Sequence, residues 1–180
     1  MSKTSFLVGE GSVQISRKEL AARISELGKE ITKDYAGKSI HVIGVLNGAF
    51  LFMADLVREI DVPMTTDFIS VSSYGSRTQT SGEVQLLKDL NSSLKNKHVL
   101  IVEDIVDSGY TMDYLVEYIG LRKPLSIKIA SLLSKPSRRK VDIDIHYLGF
   151  EIEDAFVYGY GLDDADFKRN MPFISSYRSE

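Results

Sequence analysis

The sequence predicts an α/β fold: a mostly parallel, twisted sheet flanked by helices. Three observations carry that prediction. Short, β-branched apolar runs of strand length recur along the chain, amphipathic helical stretches alternate with them, and polar clusters follow directly after the runs. The first helix starts at Ser16-Arg17-Lys18-Glu19, where a hydroxyl and a carboxylate three residues on make a capping box. Leu20, Ile24, Leu27, Ile31 and Tyr35 then recur at helical spacing, and Gly37 ends the stretch. Ile40 to Leu46 is almost wholly apolar, the pattern of a strand buried on both faces. Asn47-Gly48 breaks it, and Phe50 to Glu59 reads as a second helix. Asp67 to Val71 reads as a strand leading into Ser72 to Gly82, a polar stretch suited to a loop or lid. Val99 to Val102 is the strongest strand signal, Thr111 to Leu121 the third helix, and Ile127 to Leu133 another buried strand. The basic run Ser137-Arg138-Arg139-Lys140 follows, then strands around Ile143 to Phe150 and Phe156 to Tyr160, then a polar, acidic tail.

Composition narrows the function classes. With 22 basic and 25 acidic residues among 180, the net charge is −3, so no cationic footprint for nucleic acid or anionic lipid is present. A hydrophobic fraction of 43% suffices for one core, and residues 1–180 read as a single domain. The absence of cysteine excludes disulfides, zinc–thiolate sites, iron–sulfur clusters and a cysteine nucleophile. No run approaches the roughly 18 apolar residues of a membrane span, and Met1 to Gly11 lacks a signal-peptide core, so a cytoplasmic protein is expected. His41, His98 and His146 show no metal-ligand spacing and read as structural or surface residues.

The chemistry concentrates after Val99 to Val102. Glu103-Asp104 at a strand end can hold Mg²⁺ or accept hydrogen bonds from sugar hydroxyls. Asp107-Ser108-Gly109-Tyr110-Thr111 opens a helix, where free N–H groups and the helix dipole favour a phosphate. Asp107, between the acid pair and that cradle, is placed to act as a base. Singly, each feature is better read as a strand end or a helix cap; together they mark a site.

Val102-Glu103-Asp104-Ile105-Val106-Asp107-Ser108-Gly109-Tyr110-Thr111 resembles the phosphoribosyl pyrophosphate (PRPP) motif of type I phosphoribosyltransferases. The similarity runs from about Glu19 to Arg169 and is closest to the bacterial hypoxanthine-guanine phosphoribosyltransferases. It includes Leu46-Asn47-Gly48-Ala49-Phe50, Ser72-Ser73-Tyr74-Gly75, Lys135-Pro136-Ser137-Arg138-Arg139 and Phe156-Val157-Tyr158-Gly159-Tyr160-Gly161-Leu162-Asp163. The resemblance implies the type I fold with a small hood formed by the chain ends, and a homodimer or homotetramer. It implies PRPP, hypoxanthine and guanine as substrates, IMP or GMP and pyrophosphate as products, and Mg²⁺ as cofactor. Glu103 and Asp104 are then expected to bind the ribose hydroxyls and metal, and Ser108, Gly109, Tyr110 and Thr111 the 5′-phosphate. Asp107 is expected to be the general acid/base at purine N7, and Asn47, Gly48 and Arg169 to bind pyrophosphate. Leu46–Asn47 is the candidate cis peptide. Lys135 is expected to donate to the purine 6-oxo group, although a lysine after a strand otherwise reads as solvated. Phe156 stacks on the base, Val157 meets its edge, and Asp163 is a further metal ligand. Ser73 and Tyr74 mark the lid, whose closure excludes water from an oxocarbenium-like transition state. The chain departs from the pattern at Asn47, where Lys or Arg is common, and at Tyr110, where smaller or basic residues are usual.

Three alternatives stay open at this level. One is a xanthine-preferring enzyme, another a non-catalytic PRPP- or nucleotide-binding regulator on the same fold. The third is a phospho-acceptor signalling domain, disfavoured because its acid pair follows the first strand.

Overall fold

The structure, a computed structural model, describes residues 11–73 and 84–177. Along the chain it runs β1 (Gly11–Ile15), α1 (Arg17–Asp34), β2 (Ile40–Leu46), α2 (Phe50–Glu59), β3 (Met64–Ser73), β4 (Val84–Lys88) and β5 (His98–Val106). Then follow α3 (Tyr110–Gly120), β6 (Ser126–Ser134), β7 (Tyr147–Glu151), β8 (Val157–Tyr158) and β9 (Ile174–Tyr177). One sheet has six strands in the order β4-β3-β2-β5-β6-β7. Its strands are parallel except for β4, which pairs antiparallel with β3. The expected hood is a separate antiparallel sheet, β1-β9-β8, which brings the two ends of the described chain side by side.

The local reasons are those legible in the residues. The Ser16 hydroxyl accepts from Glu19 N–H at 3.3 Å while the Glu19 carboxylate accepts from Ser16 N–H at 2.8 Å, so the capping box starts α1 as read. Leu20, Ile24, Leu27 and Ile31 of that helix are buried against the sheet together with Phe52 and Leu56 of α2. Strand β2 serves both faces. Ile40 and Val42 join the α1/α2 cluster, while Ile43 and Val45 join the cluster under α3 with Met112, Leu115 and Ile119. Each such side chain contributes about 1.5–3 kcal/mol on burial.

Three expectations are corrected. Strand β5 continues through Glu103 and Asp104, so the acid pair lies inside the strand rather than after it. Pairing with β6 carries on at Glu103 with Ser131, Ile105 with Leu133 and Val106 with Ser134, and holds the acids in register. The stretch expected as a strand from Ile143 becomes one only at Tyr147, because pairing with β6 begins there, at Ala130. The polar tail contains β9, stabilised by pairing with β1 and β8 rather than by its own pattern. Strand β4 was not readable: its Leu87 and Lys88 are exposed at a sheet edge, so no buried face imposes alternation.

Candidate active site at the end of strand β5

At Val106 the chain leaves β5, turns through Asp107 and Ser108, and enters α3 at Tyr110. The turn depends on Gly109, which has φ 96°, a left-handed conformation that glycine adopts at little cost. A Cβ there would also lie 2.8 Å from the Val141 carbonyl oxygen. No side chain caps α3, so its first N–H groups stay free to donate at the positive end of the helix dipole. Glu103, Asp107, Ser108, Gly109 and Thr111 help line a hollow of about 80 Å³ here. That exceeds the about 30 Å³ a water occupies in the liquid, room enough for a small anion.

Beside the turn stand the two acids. Glu103 is 6% exposed, and burial, followed by the charge of Asp104, pushes its carboxyl well above the usual carboxylate range. Asp104 is half-buried, and its Oδ1 accepts from Ile105 N–H at 2.8 Å. Its Oδ2 lies 1.6 Å from where a Cβ on Gly48 would be, so only glycine lets the loop after β2 lie against this carboxylate. In that loop the Leu46–Asn47 peptide is cis, as the resemblance implied, and the Asn47 side chain is exposed. The loop is met from the other side by Gly161, where a Cβ would fall 2.0 Å from the Gly48 carbonyl oxygen. Acid pair, β2 loop and the segment below the hood therefore converge.

Lys135, at the end of β6, is 6% exposed, which corrects the solvated reading its local sequence suggests. Its N–H donates to the Val106 carbonyl at 3.0 Å, so the backbone that ends β5 also fixes Lys135. Phe156 is 56% exposed and stacks on Tyr177 with ring centroids 6.0 Å apart and planes at 26°. Val157 is buried at the start of β8. Phe156, Asp163, Asp164, Ala165 and Tyr177 line a hollow of about 490 Å³. Asp163 pairs with Arg169 at 3.0 Å, and Arg169 Nη1 donates to the Gly161 carbonyl at 2.8 Å, which braces the loop that meets Gly48. Ser73 ends β3 opposite Val84, and Tyr74 lies outside the described residues. A roomier cavity of about 670 Å³ lies elsewhere, between α1, β7 and the hood, and contains none of the acids of the β5 turn.

Among the described residues no three His, Asp or Glu side chains converge to cage a metal unaided. The Glu103–Asp104 pair nonetheless fits a magnesium ion, which needs only one or two protein carboxylates when substrate oxygens complete its octahedron. A buried acid destabilised by its neighbour's charge is a pair that a dication relieves. Sequence reasoning gave no role to Arg138 or Asp154, although Arg138 Nε stands 2.9 Å from Asp107 Oδ1 and its Nη1 3.2 Å from Asp154 Oδ1. The basic run was the available signal. The partners are distant in sequence and become visible only once β6 and β7 are in place.

Comparison with known proteins agrees with this architecture. Residues 13–165 match the family model described as "Phosphoribosyl transferase domain". The hypoxanthine-guanine phosphoribosyltransferase of Bacillus subtilis is 52% identical over 162 residues, 90% of each chain. The hypoxanthine phosphoribosyltransferase of Salmonella typhimurium is 49% identical, over 90% of this chain and 92% of that one. A crystal structure of a hypoxanthine phosphoribosyltransferase from Staphylococcus aureus superimposes with a TM-score of 0.93 at 42% identity, covering 98% of this chain and 97% of that one. A sheet of this order, a small hollow lined by acids and hydroxyls at the end of β5 and relatives matched over nearly their full length lead to one assignment: the chain belongs to the phosphoribosyltransferase family, among its hypoxanthine-guanine phosphoribosyltransferases.

Proposed function

We propose that the protein serves purine salvage, transferring the 5-phosphoribosyl group of PRPP to N9 of hypoxanthine or guanine, with IMP or GMP and pyrophosphate as products. The observation that carries the reading is the placement of Asp107 beside an uncapped helix N-terminus, with the buried Lys135 fixed to the same strand end. In this reading the 5′-phosphate takes the N–H groups and hydroxyls of Ser108, Gly109, Tyr110 and Thr111. Glu103 and Asp104 hold the ribose hydroxyls, and the backbone of Asn47 and Gly48, with Arg169, holds the pyrophosphate. The base lies on Phe156 with Val157 at its edge, and Lys135 Nζ donates to the 6-oxo group. As N9 bonds to ribose C1, the bond from C1 to pyrophosphate breaks, its electron pair leaves with pyrophosphate, and Asp107 takes the N7 proton. Glu103, Asp104 and Asp163 are the residues we assign to Mg²⁺, which when bound offsets the charge of the departing pyrophosphate. Ser73 and Tyr74 border the lid. The described residues hold no helix long and apolar enough to cross a membrane. A cytoplasmic single-domain protomer, assembled as a homodimer or homotetramer and binding neither nucleic acid nor membrane, completes the reading.

Turnover with PRPP and Mg²⁺ against hypoxanthine, guanine, xanthine and adenine in parallel tests it. Hypoxanthine and guanine are expected to react, and chelation of the metal to stop them. Adenine is expected to be slower by about 10⁴-fold, because a buried donor facing a 6-amino group is left unpaired. Xanthine as the best substrate would move the protein to the xanthine-preferring class. PRPP binding without turnover of any base would make it a regulator.

A further inference from the structure

The basic run Ser137-Arg138-Arg139-Lys140 has no task in the reaction as written, yet it lies directly behind the Asp107 turn. Lys135 leads into it through a short 3₁₀ turn, Pro136–Arg138. Arg139 grips the backbone: its Nε donates to the Asp107 carbonyl at 3.2 Å and its Nη2 to the Ser134 hydroxyl at 2.9 Å. The amides of Lys140 and Val141 both donate to the Ser108 carbonyl, at 2.8 and 3.1 Å. Arg138 reaches the side chain instead, with Nε 2.9 Å from Asp107 Oδ1. That oxygen is buried, so the Arg138 guanidinium is the cation that faces it at contact distance. Asp154 Oδ1 closes the arrangement, 3.2 Å from Arg138 Nη1 and 3.8 Å from Lys135 Nζ.

On a 6-oxopurine the N7 atom and the 6-oxo group sit side by side on one edge. The groups that read this edge, Asp107 and Lys135 in the proposed reaction, must keep a fixed separation, since hydrogen bonds weaken steeply away from their preferred length and angle. Asp154 is the carboxylate that touches Lys135 and also Arg138, the cation facing Asp107. We infer that Arg138, anchored by Asp154, is the positioning residue for Asp107, and that the chain Lys135–Asp154–Arg138–Asp107 sets the spacing of the two groups that read N7 and the 6-oxo group. The inference rests on the purine-salvage reading. These side chains are substantially exposed, 52% for Arg138, 52% for Asp154 and 38% for Asp107, so the pairs contribute little to folding. A role confined to stability therefore predicts almost no effect of removing them, which makes the two roles separable.

The test uses Arg138→Gln, Arg138→Lys and Asp154→Asn, with Arg138→Gln also placed in an Asp107→Asn background, all assayed with hypoxanthine and PRPP. Misplacing a reacting group by about an ångström can cost up to about 10²-fold, so a fall in kcat of at least about 10-fold is expected for Arg138→Gln. KM for PRPP should stay within about twofold and the melting temperature within about 2 °C, as for an exposed pair. Arg138→Lys should recover part of the loss, and Asp154→Asn should lower kcat and raise KM for the purine. Without the Asp107 carboxylate, Arg138→Gln should cost less than about twofold, because paired sites couple non-additively. An equal loss in both backgrounds, or full kcat in Arg138→Gln, overturns the inference. Failure of the unmutated protein to turn over any 6-oxopurine instead overturns the salvage reading, and this inference with it.

Discussion

Asp107→Ala is expected to lower kcat by about 10²- to 10⁴-fold, the contribution of one general acid–base group, while leaving PRPP affinity nearly unchanged. The split follows from where the groups are. The donors assigned to the 5′-phosphate are backbone N–H groups and hydroxyls from Ser108 onward, and the turn that presents them is held by Gly109 and by the amides of Lys140 and Val141. None of these depends on the Asp107 side chain. Truncation deprives Arg138 of a partner, but that side chain is half exposed and keeps Asp154. Steady-state kinetics with a separate calorimetric titration of PRPP distinguishes the two effects. Unchanged turnover in the variant would remove Asp107 from the mechanism.

Gly48→Ala should damage a different step. The added Cβ would fall 1.6 Å from Asp104 Oδ2, and the atom that must yield is the end of a short side chain. The carboxylate can swing away, so the fold should survive with a small change in melting temperature. The site would lose an acceptor assigned to the ribose and the metal. Charged hydrogen bonds contribute about 1.5–3 kcal/mol, so kcat/KM for PRPP should fall by about 10- to 100-fold. The loss should appear in KM for PRPP and in the magnesium requirement more than in KM for the base. An unchanged KM for PRPP would show that Asp104 does not contact it.

Both variants lie in segments where the sequence was most informative, and the reason is physical. Strand β2, helix α1 and the β5 turn are specified by local rules: burial on both faces, a capping box, and a glycine that permits a left-handed turn. Such features can be read without knowing the neighbours. Strands β1 and β9 cannot, because GSVQI and ISSY carry little apolar pattern and exist as strands through pairing with each other. The burial of Lys135 is likewise a property of what surrounds the end of β6. Asp154 near Arg138, and Gly161 against Gly48, depend on loops brought together by strand order. The family resemblance supplied roles for several of these residues but not their contacts.

The pairing of Gly11 with Tyr177 has a consequence for the order of assembly. The larger sheet is built from strands joined by short crossovers, whereas the hood forms only after nearly the whole described chain has been gathered. Such long-range closure brings its reward late. The body with its phosphate turn is therefore expected to form first, and the hood to open first from the native state. Amide exchange should show β1 and β9 losing protection ahead of β5. The aromatic platform of Phe156 and Tyr177 belongs to the late-forming sheet. A molecule with its hood unzipped thus keeps the turn assigned to the phosphate, together with Asp107 and Lys135, and loses the aromatic platform assigned to the base.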